Sequence, residues 1–257
     1  MTKGIISCIR VNVKHFFRYF YIKFRHQCTS LFIIYSTDID AIEAIIYNEY
    51  MRTELIIVNI EECRELLSKP EVFCSKERLR QCSDCGGERR MQGLAAELAL
   101  SYALSGERLL PPKYSRLSDG RPVIENGYIS LSHTRGWAVC AFSDIPVGVD
   151  IEALRRMRGS VARRILCQAE LKALEGMDEK SPRFLLERWV LKEAFLKLKG
   201  TGLSGGMNRV FEKDASVFYD GVLGGYVNFY GDDGFIGCVV TSERTELRIR
   251  TLPAELK

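Results

Sequence analysis

Three carboxylates and two lysines in this chain have spacings that can aim them at one polyanionic ligand. Pro146-Val-Gly-Val-Asp-Ile-Glu152 alternates, with Val147, Val149 and Ile151 on one side and Gly148, Asp150 and Glu152 on the other. A period of two is that of a half-buried strand, and it sets the two acids on one face, about 6.5–7 Å apart along the backbone. Acids so placed repel unless a cation lies between them. Mg²⁺ suits the pair, because one or two carboxylates hold it while phosphate oxygens and water complete an octahedron. A bare Asp-x-Glu also describes a strand end whose acids simply face solvent. Gly148, inside the strand, marks close approach of a ligand or of another backbone.

The second carrier of chemistry is helical. In Trp189-Val-Leu-Lys-Glu-Ala-Phe-Leu-Lys197, Trp189, Glu193 and Lys197 recur every four residues on one face, while Leu191, Ala194, Phe195 and Leu198 supply an apolar stripe. Glu193 followed by Lys197 is equally the favourable order for a plain surface ion pair. Gly200-Thr-Gly-Leu203 reads as a helix cap running into a turn. Upstream, Tyr128 to Phe142 reads as strand, polar turn, strand. The turn is expected to hold Ser132, His133, Thr134 and Arg135, all donors suited to phosphate. A lone histidine is often structural, and at His133 both readings stand.

Taken together, Ser132-His133-Thr134, Gly148-Val-Asp-Ile-Glu152 and Trp189 to Lys197 with Gly200-Thr-Gly-Leu203 resemble a 4′-phosphopantetheinyl transferase of the surfactin-synthetase-activating (Sfp-like) branch. The likeness extends loosely from about Met51 to about Thr241. Arg89-Arg-Met-Gln-Gly93 resembles the family's arginine-then-glycine helix, and Asp119-Gly-Arg-Pro122 its Gly-Lys-Pro turn with Arg121 for lysine. Val190 stands where the family often has Ser or Thr. Neither change removes a metal ligand, and Arg for Lys keeps the charge while altering donor geometry.

The resemblance implies a reaction. The phosphopantetheine arm of coenzyme A passes to a serine of an apo acyl, peptidyl or polyketide carrier protein, and adenosine 3′,5′-bisphosphate leaves. Asp150, Glu152 and Glu193 would hold Mg²⁺ against the CoA pyrophosphate. Glu193 would be the general base, acting directly or through water. Lys197 would stabilise or protonate the departing phosphate, and Lys192 would contact the pyrophosphate. Ser132, His133 and Arg121 would receive the 3′-phosphoadenosine end, with Arg89 nearby. Two other readings use the same residues: an Mg²⁺-dependent nucleotide-diphosphate hydrolase, and a carrier-protein-binding module without chemistry.

The elements that must position these groups follow from pattern. Expected strands cover 54–60, 127–131, 136–142 and 147–152, with five more from 208 to 251. Expected helices cover 61–67, 91–105, 169–175 and 182–199, and a polar, partly helical segment covers 70–90. Helices and antiparallel strands in separate runs indicate an α+β class. The resemblance implies two similar α+β subdomains packed as a pseudo-dimer, 51–146 and 147–257, the second carrying the metal-binding motifs.

The chain has 257 residues, 46 % of them apolar, and a net charge of +4. That length can bury one substantial core or two modest ones. Residues 1–30 hold six basic residues (Lys3, Arg10, Lys14, Arg18, Lys23, Arg25) and no acids, and 31–50 hold Asp38, Asp40, Glu43 and Glu49 and no bases. The remaining body, with 31 basic and 29 acidic residues, is nearly neutral. Bulk charge therefore gives no argument for a nucleic-acid partner.

Arg155, Arg156, Arg158, Arg163 and Arg164 crowd ten residues. They read as a solvated helix face, or as a receiver for an acidic carrier-protein helix or for CoA phosphates. Nine cysteines with one close pair, Cys82-Ser-Asp-Cys85, lack a second pair for zinc and fit free thiols in a reducing cytoplasm. Cys140 and Cys238, in apolar runs, are expected in the core.

Residues 1–50 contain the aromatic, basic run Phe16 to Phe24. They hold no stretch approaching the 18–20 apolar residues of a membrane span and no clean signal cleavage site. Met51-Arg-Thr-Glu-Leu-Ile-Ile-Val58 reads as the first strand of the domain. The first fifty residues are then an extension outside the fold, or upstream sequence translated from a wrong start. The protein is expected to be a cytoplasmic monomer with no membrane or nucleic-acid partner.

Overall fold

Alternation decides how the chain stacks. In the computed structural model the strand at 235–241, Phe-Ile-Gly-Cys-Val-Val-Thr, is buried at every residue. Its Ile236, Cys238 and Val240 enter one core, and Phe235 and Val239 enter another. A strand greasy on both faces must be covered on both. The structure describes residues 9–12, 18–21, 31–33, 51–157, 159–175 and 182–252.

The segment up to Tyr50 forms one unit, in which β1 (Ile9–Asn12), β2 (Arg18–Tyr21) and β3 (Leu31–Ile33) make a small antiparallel sheet in that order. Much of the aromatic run at 16–24 lies outside the described residues.

From Met51 a second unit begins. It opens with β4 (Arg52–Asn59), the short α1 (Arg64–Leu67), α2 (Lys76–Ser83) and α3 (Gly87–Ser105). The hairpin β5 (Ser115–Arg116) and β6 (Pro122–Val123) leads to β7 (Tyr128–Thr134), β8 (Trp137–Ser143) and β9 (Val147–Ala153). Then come α4 (Gly159–Ile165), α5 (Gln168–Glu175) and α6 (Pro182–Lys199). The described chain closes with β10 (Val210–Lys213), β11 (Ser216–Tyr219), β12 (Val222–Gly231), β13 (Phe235–Thr241) and β14 (Glu246–Thr251).

Two sheets carry the unit. One has the order β14-β4-β8-β7, the other β10-β11-β12-β13-β9. Leu94, Ala95, Leu98 and Ala99 of α3 cover the outer face of the first, against Ile56, Val58, Ala138 and Cys140. Leu191, Ala194 and Phe195 of α6 cover the outer face of the second. Leu55, Ile57, Val139 and Ala141 meet Val149, Ile151 and Val239 between the sheets. Helix, sheet, sheet, helix is thus the layer order, and both halves follow one plan, as expected of an α+β pair. The halves are not cleanly separated in sequence, because β14 returns to pair in parallel with β4.

Cys140 and Cys238 are core residues as expected, and every described cysteine is a free thiol. Among the described residues no helix is long and apolar enough to cross a membrane.

One expectation changes, and of the two readings of Gly148 one is selected. Ser132, His133 and Thr134 are strand residues paired with Val139, Ala138 and Trp137, and the turn is confined to Arg135 and Gly136. Gly136 has φ +82°, so the tight connection needs only that one left-handed residue. At Gly148 the neighbour is a backbone and no ligand is needed to explain it. A Cβ there would lie 2.0 Å from the Ala194 carbonyl oxygen and 2.6 Å from the Leu198 nitrogen. Helix α6 rests directly on β9. Gly148→Ala is therefore expected to destabilise the unit by about 1–3 kcal/mol through overpacking, read as a lower urea midpoint with an unchanged slope. An unchanged midpoint would contradict this contact.

Candidate active site

Strand β7 is an edge strand with hydroxyls at alternate positions, and these join it to the edge of the other sheet. Ser130 Oγ accepts the Val149 N–H at 3.0 Å, and Thr134 Oγ1 accepts the Ala153 N–H at 3.2 Å. Between them, Ser132 Oγ donates to Asp150 Oδ1 at 2.7 Å, and Thr134 Oγ1 donates to Glu152 Oε2 at 3.3 Å. Side chains here do what a ladder would do elsewhere, satisfying N–H groups that the β9 edge would leave unpaired. The same seam orients both acids.

Asp150 is only 5 % exposed. The close seat of α6 at Gly148 brings Lys197 over it, and the ammonium donates to Asp150 Oδ1 at 2.7 Å and to the Val149 carbonyl at 3.0 Å. Tyr230 donates its hydroxyl to the Asp150 carbonyl at 2.9 Å. Asp150 Oδ2 is buried and has no hydrogen-bond partner. An ionised oxygen left so is costly unless a cation completes it.

Glu152, also paired with Arg155 at 3.5 Å, is pushed above the usual carboxylate range by burial and then by Asp150. Glu193 is pushed up to about 7, first by burial, then by Asp150, with Lys197 opposing and Glu152 adding. The three expected metal ligands therefore feel one another's charge. They do not form a closed cage, since no three His, Cys, Asp or Glu side chains converge as an ion-holding group among the described residues. Facing anions repel, and Lys197 supplies the positive charge now paired with Asp150. The unpartnered Oδ2 and the all-oxygen donor set fit a hard divalent cation.

A groove of about 830 Å³ runs from this seam, and Arg78, Arg116, Arg121, Ser132, His133 and Lys197 are among its walls. His133 keeps a face open to solvent. Even so, the protein around it and then the Lys197 charge hold its pKa below the ordinary value, so the imidazole is neutral at pH 7. Arg121 pairs with Asp119 at 2.7 Å and lies across Gly200, where φ is +69° and an added Cβ would meet its guanidinium. The helix cap expected at Gly200 is thus also the shelf for Arg121. Arg89 is exposed on the first turn of α3 and reaches His133 only electrostatically.

Lys192 is a correction. It is 0 % exposed and donates to Glu170 Oε2 at 2.5 Å and the Ile165 carbonyl at 2.7 Å. Expected to touch a pyrophosphate, it points instead into the core, because residue 192 lies about 100° around the helix from residue 193.

Arg78 and Arg116 were not legible as groove residues. Arg78 is held by the buried Glu97 at 2.8 Å, and Glu97 also accepts Tyr114 OH at 2.6 Å. A glutamate in the middle of the apolar run of α3 was the available signal, because a buried acid needs a basic partner.

Residues 146–243, which include β9, α6 and every strand of the second sheet, match the model of the 4′-phosphopantetheinyl transferase superfamily. The match covers 98 of the 257 residues and shows that this part of the chain is similar to the superfamily. Its similarity is to transferases of the Sfp type. The chain is 32 % identical over 111 residues to the 4′-phosphopantetheinyl transferase psf-1 of Bacillus pumilus, covering 42 % of this chain and 46 % of that one. It is 30 % identical over 96 residues to 4′-phosphopantetheinyl transferase Sfp of Bacillus subtilis (strain 168), covering 36 % and 43 %. With HetI of Nostoc sp. (strain PCC 7120 / SAG 25.82 / UTEX 2576), also a 4′-phosphopantetheinyl transferase, identity is 31 % over 130 residues, covering 46 % and 55 %. The matched part spans about half the length of these relatives.

The raised pKa of Glu193 has a consequence for stability. The fold holds this proton more tightly than the unfolded chain, whose ordinary value is 4.5. Stability from this group is therefore fully present below about pH 4.5 and is lost as pH rises through about 7. Glu193→Gln cannot ionise. Relative to the unsubstituted protein, it is expected to gain about 2 kcal/mol between about pH 5 and pH 8, measured by urea unfolding without divalent ions. Parallel pH dependences would contradict the crowding of charge at this seam.

Proposed function

We propose that the chain transfers the 4′-phosphopantetheine arm of coenzyme A to a serine hydroxyl of an apo acyl, peptidyl or polyketide carrier protein. The observation that carries this reading is the buried, half-partnered Asp150, held by Ser132 and Lys197, which also line an arginine-walled groove. A groove of this charge suits the phosphorylated adenosine of CoA, and the acids beside Lys197 would suit a metal-bound diphosphate. Asp150, Glu152 and Glu193 would hold Mg²⁺. The ion supplies charge neutralisation at the diphosphate and a lowered pKa for a hydroxyl bound beside it.

The protein's own groups do the rest. Arg121 and His133, with Arg78 and Arg116, bind and orient the adenosine bisphosphate end. His133 contributes hydrogen bonds to the phosphate end. The serine oxygen forms a bond to the phosphorus bearing the pantetheine arm, and the bond from that phosphorus to the bridging oxygen breaks. Glu193, ionised when the metal is held, takes the serine proton directly or through water, and the metal-lowered pKa of the hydroxyl makes that transfer feasible. Lys197 stabilises the departing phosphate of adenosine 3′,5′-bisphosphate. Alignment and electrostatics carry such a displacement, with no covalent intermediate on the protein.

Arg155, Arg156, Arg163 and Arg164 are exposed beyond the end of β9 and on α4. They are suited to receive the acidic helix of a carrier protein; Arg158 lies outside the described residues. Residues 1–50 would stand outside the functional unit, which would act as a cytoplasmic monomer whose first subdomain, 51–146, is completed by β14 from the chain's end.

Mass spectrometry of a panel of apo carrier proteins incubated with CoA and Mg²⁺ tests the reading. At least one carrier should gain the phosphopantetheine mass, equally with a chain beginning at Met51. CoA consumed without a carrier would instead mark a diphosphate hydrolase. Glu193→Gln should lower kcat by a factor of about 10² or more. Reversing the charge of Arg155 and Arg156 together should raise the KM for the carrier and leave that for CoA unchanged. An unchanged carrier KM would remove these arginines from docking.

A further inference from the structure

Helix α6 has a second charged face, turned into the core, that the proposed chemistry does not use. Lys192 donates to Glu170 Oε2 and to the Ile165 carbonyl. The same glutamate oxygen accepts the Cys167 N–H at 2.9 Å, which caps the first turn of α5. Four residues before Lys192 on the same face, Arg188 lies 4.0 Å from Glu170 Oε1 and 3.3 Å from Glu212 Oε2. Its guanidinium also covers the rings of Phe184 and Phe229. One helix face is therefore tied to the end of α4, the start of α5 and strand β10.

Lys192 is adjacent in sequence to Glu193, and Lys197 follows little more than a turn later. In a helix, fixing the direction of one side chain fixes the directions of the others. The contact at Gly148 sets how closely α6 approaches β9, but apolar packing is non-directional and tolerates rotation and sliding. An ammonium held by two named acceptors tolerates neither. A buried ion pair is weak evidence for stability, and its best-attested use is to fix register.

We propose that the Glu170–Lys192 pair, with Arg188, is a positioning device that locks the rotation and axial register of α6 so that Glu193 and Lys197 meet the acids of β9. Lys192 acts through those residues and touches no substrate. This rests on the reading of Glu193 and Lys197 as the reacting groups. It gives the lysine of the helix motif a different task from pyrophosphate contact.

The test is the double variant Glu170→Leu/Lys192→Met. Removing both charges together avoids stranding either one. The variant is expected to fold, with kcat lowered at least tenfold and the KM for CoA changed less than threefold. In its crystal structure α6 should be rotated or shifted, with the Lys197–Asp150 ion pair lost. A KM for CoA raised tenfold with kcat retained would show Lys192 to be a ligand contact. Retained kcat, or α6 unmoved, would show the pair to be packing alone.

Should the double variant fail to fold, Lys192→Arg keeps the charge at a different length and is expected to show the same loss of kcat at constant KM. Full activity in that variant would overturn the lock. The crystallographic result stands even if no carrier protein is modified. An unsubstituted protein that modifies none counts against the transferase reading alone.

Discussion

A carboxylate placed in the interior with half its acceptor capacity unmet is the constraint around which this molecule is arranged. Burying an ionised acid costs several kcal/mol unless charge and hydrogen bonds compensate. Asp150 Oδ1 receives both a hydroxyl and an ammonium, while Oδ2 receives nothing. Each compensating group comes from a different part of the chain: Ser132 from the edge of the first sheet, Lys197 from α6, and Tyr230, through the backbone carbonyl, from β12. Holding that one residue requires the sheets, the seam of hydroxyls and the helix to be in place together. The uncompensated oxygen is the feature on which the proposed cation site rests.

The motif helix divides its charged residues by direction. Lys197 faces β9 and lines the groove, with half-buried Glu193 one turn before it, and Lys192 and Arg188 face inward against Glu170 and Glu212. A helix that is covered nearly all round is expected in a core. Here it carries charged residues on two faces, each set against different partners. The acid between Arg78 and Tyr114 in the first half works similarly. Glu97 has one oxygen shared by two donors and the other unpartnered, and it holds a guanidinium against the wall of the groove.

Most of the architecture was legible because its patterns are local. Strict alternation at 147–152, the continuous apolar run at 235–241 and the four-residue recurrence at 189–197 all name their elements, and the glycines at 200 and 148 mark real close approaches. What resisted reading was direction around an element. The hydroxyls at 130, 132 and 134 were placed partly in a turn, because their alternation within β7 mimics a polar loop. Lys192 was assigned to the ligand, because sequence shows that a residue is near a site but not which way a helix turns it. Arg78 and Arg116 reach the groove only through a buried partner nineteen residues away in α3 and through a short hairpin. No local period encodes such contacts.

Calorimetric titration of Mg²⁺ into the protein near pH 7, repeated in buffers of different ionisation enthalpy, tests the central claim most directly. The account expects binding coupled to release of a fraction of a proton, because a cation at this seam would drive Glu193 from its value of about 7 into the ionised form. Asp150→Asn should abolish both the binding and the proton release. Binding that survives in Asp150→Asn, or that releases no proton, would contradict the proposal that Asp150 and its acidic neighbours hold a cation at this seam.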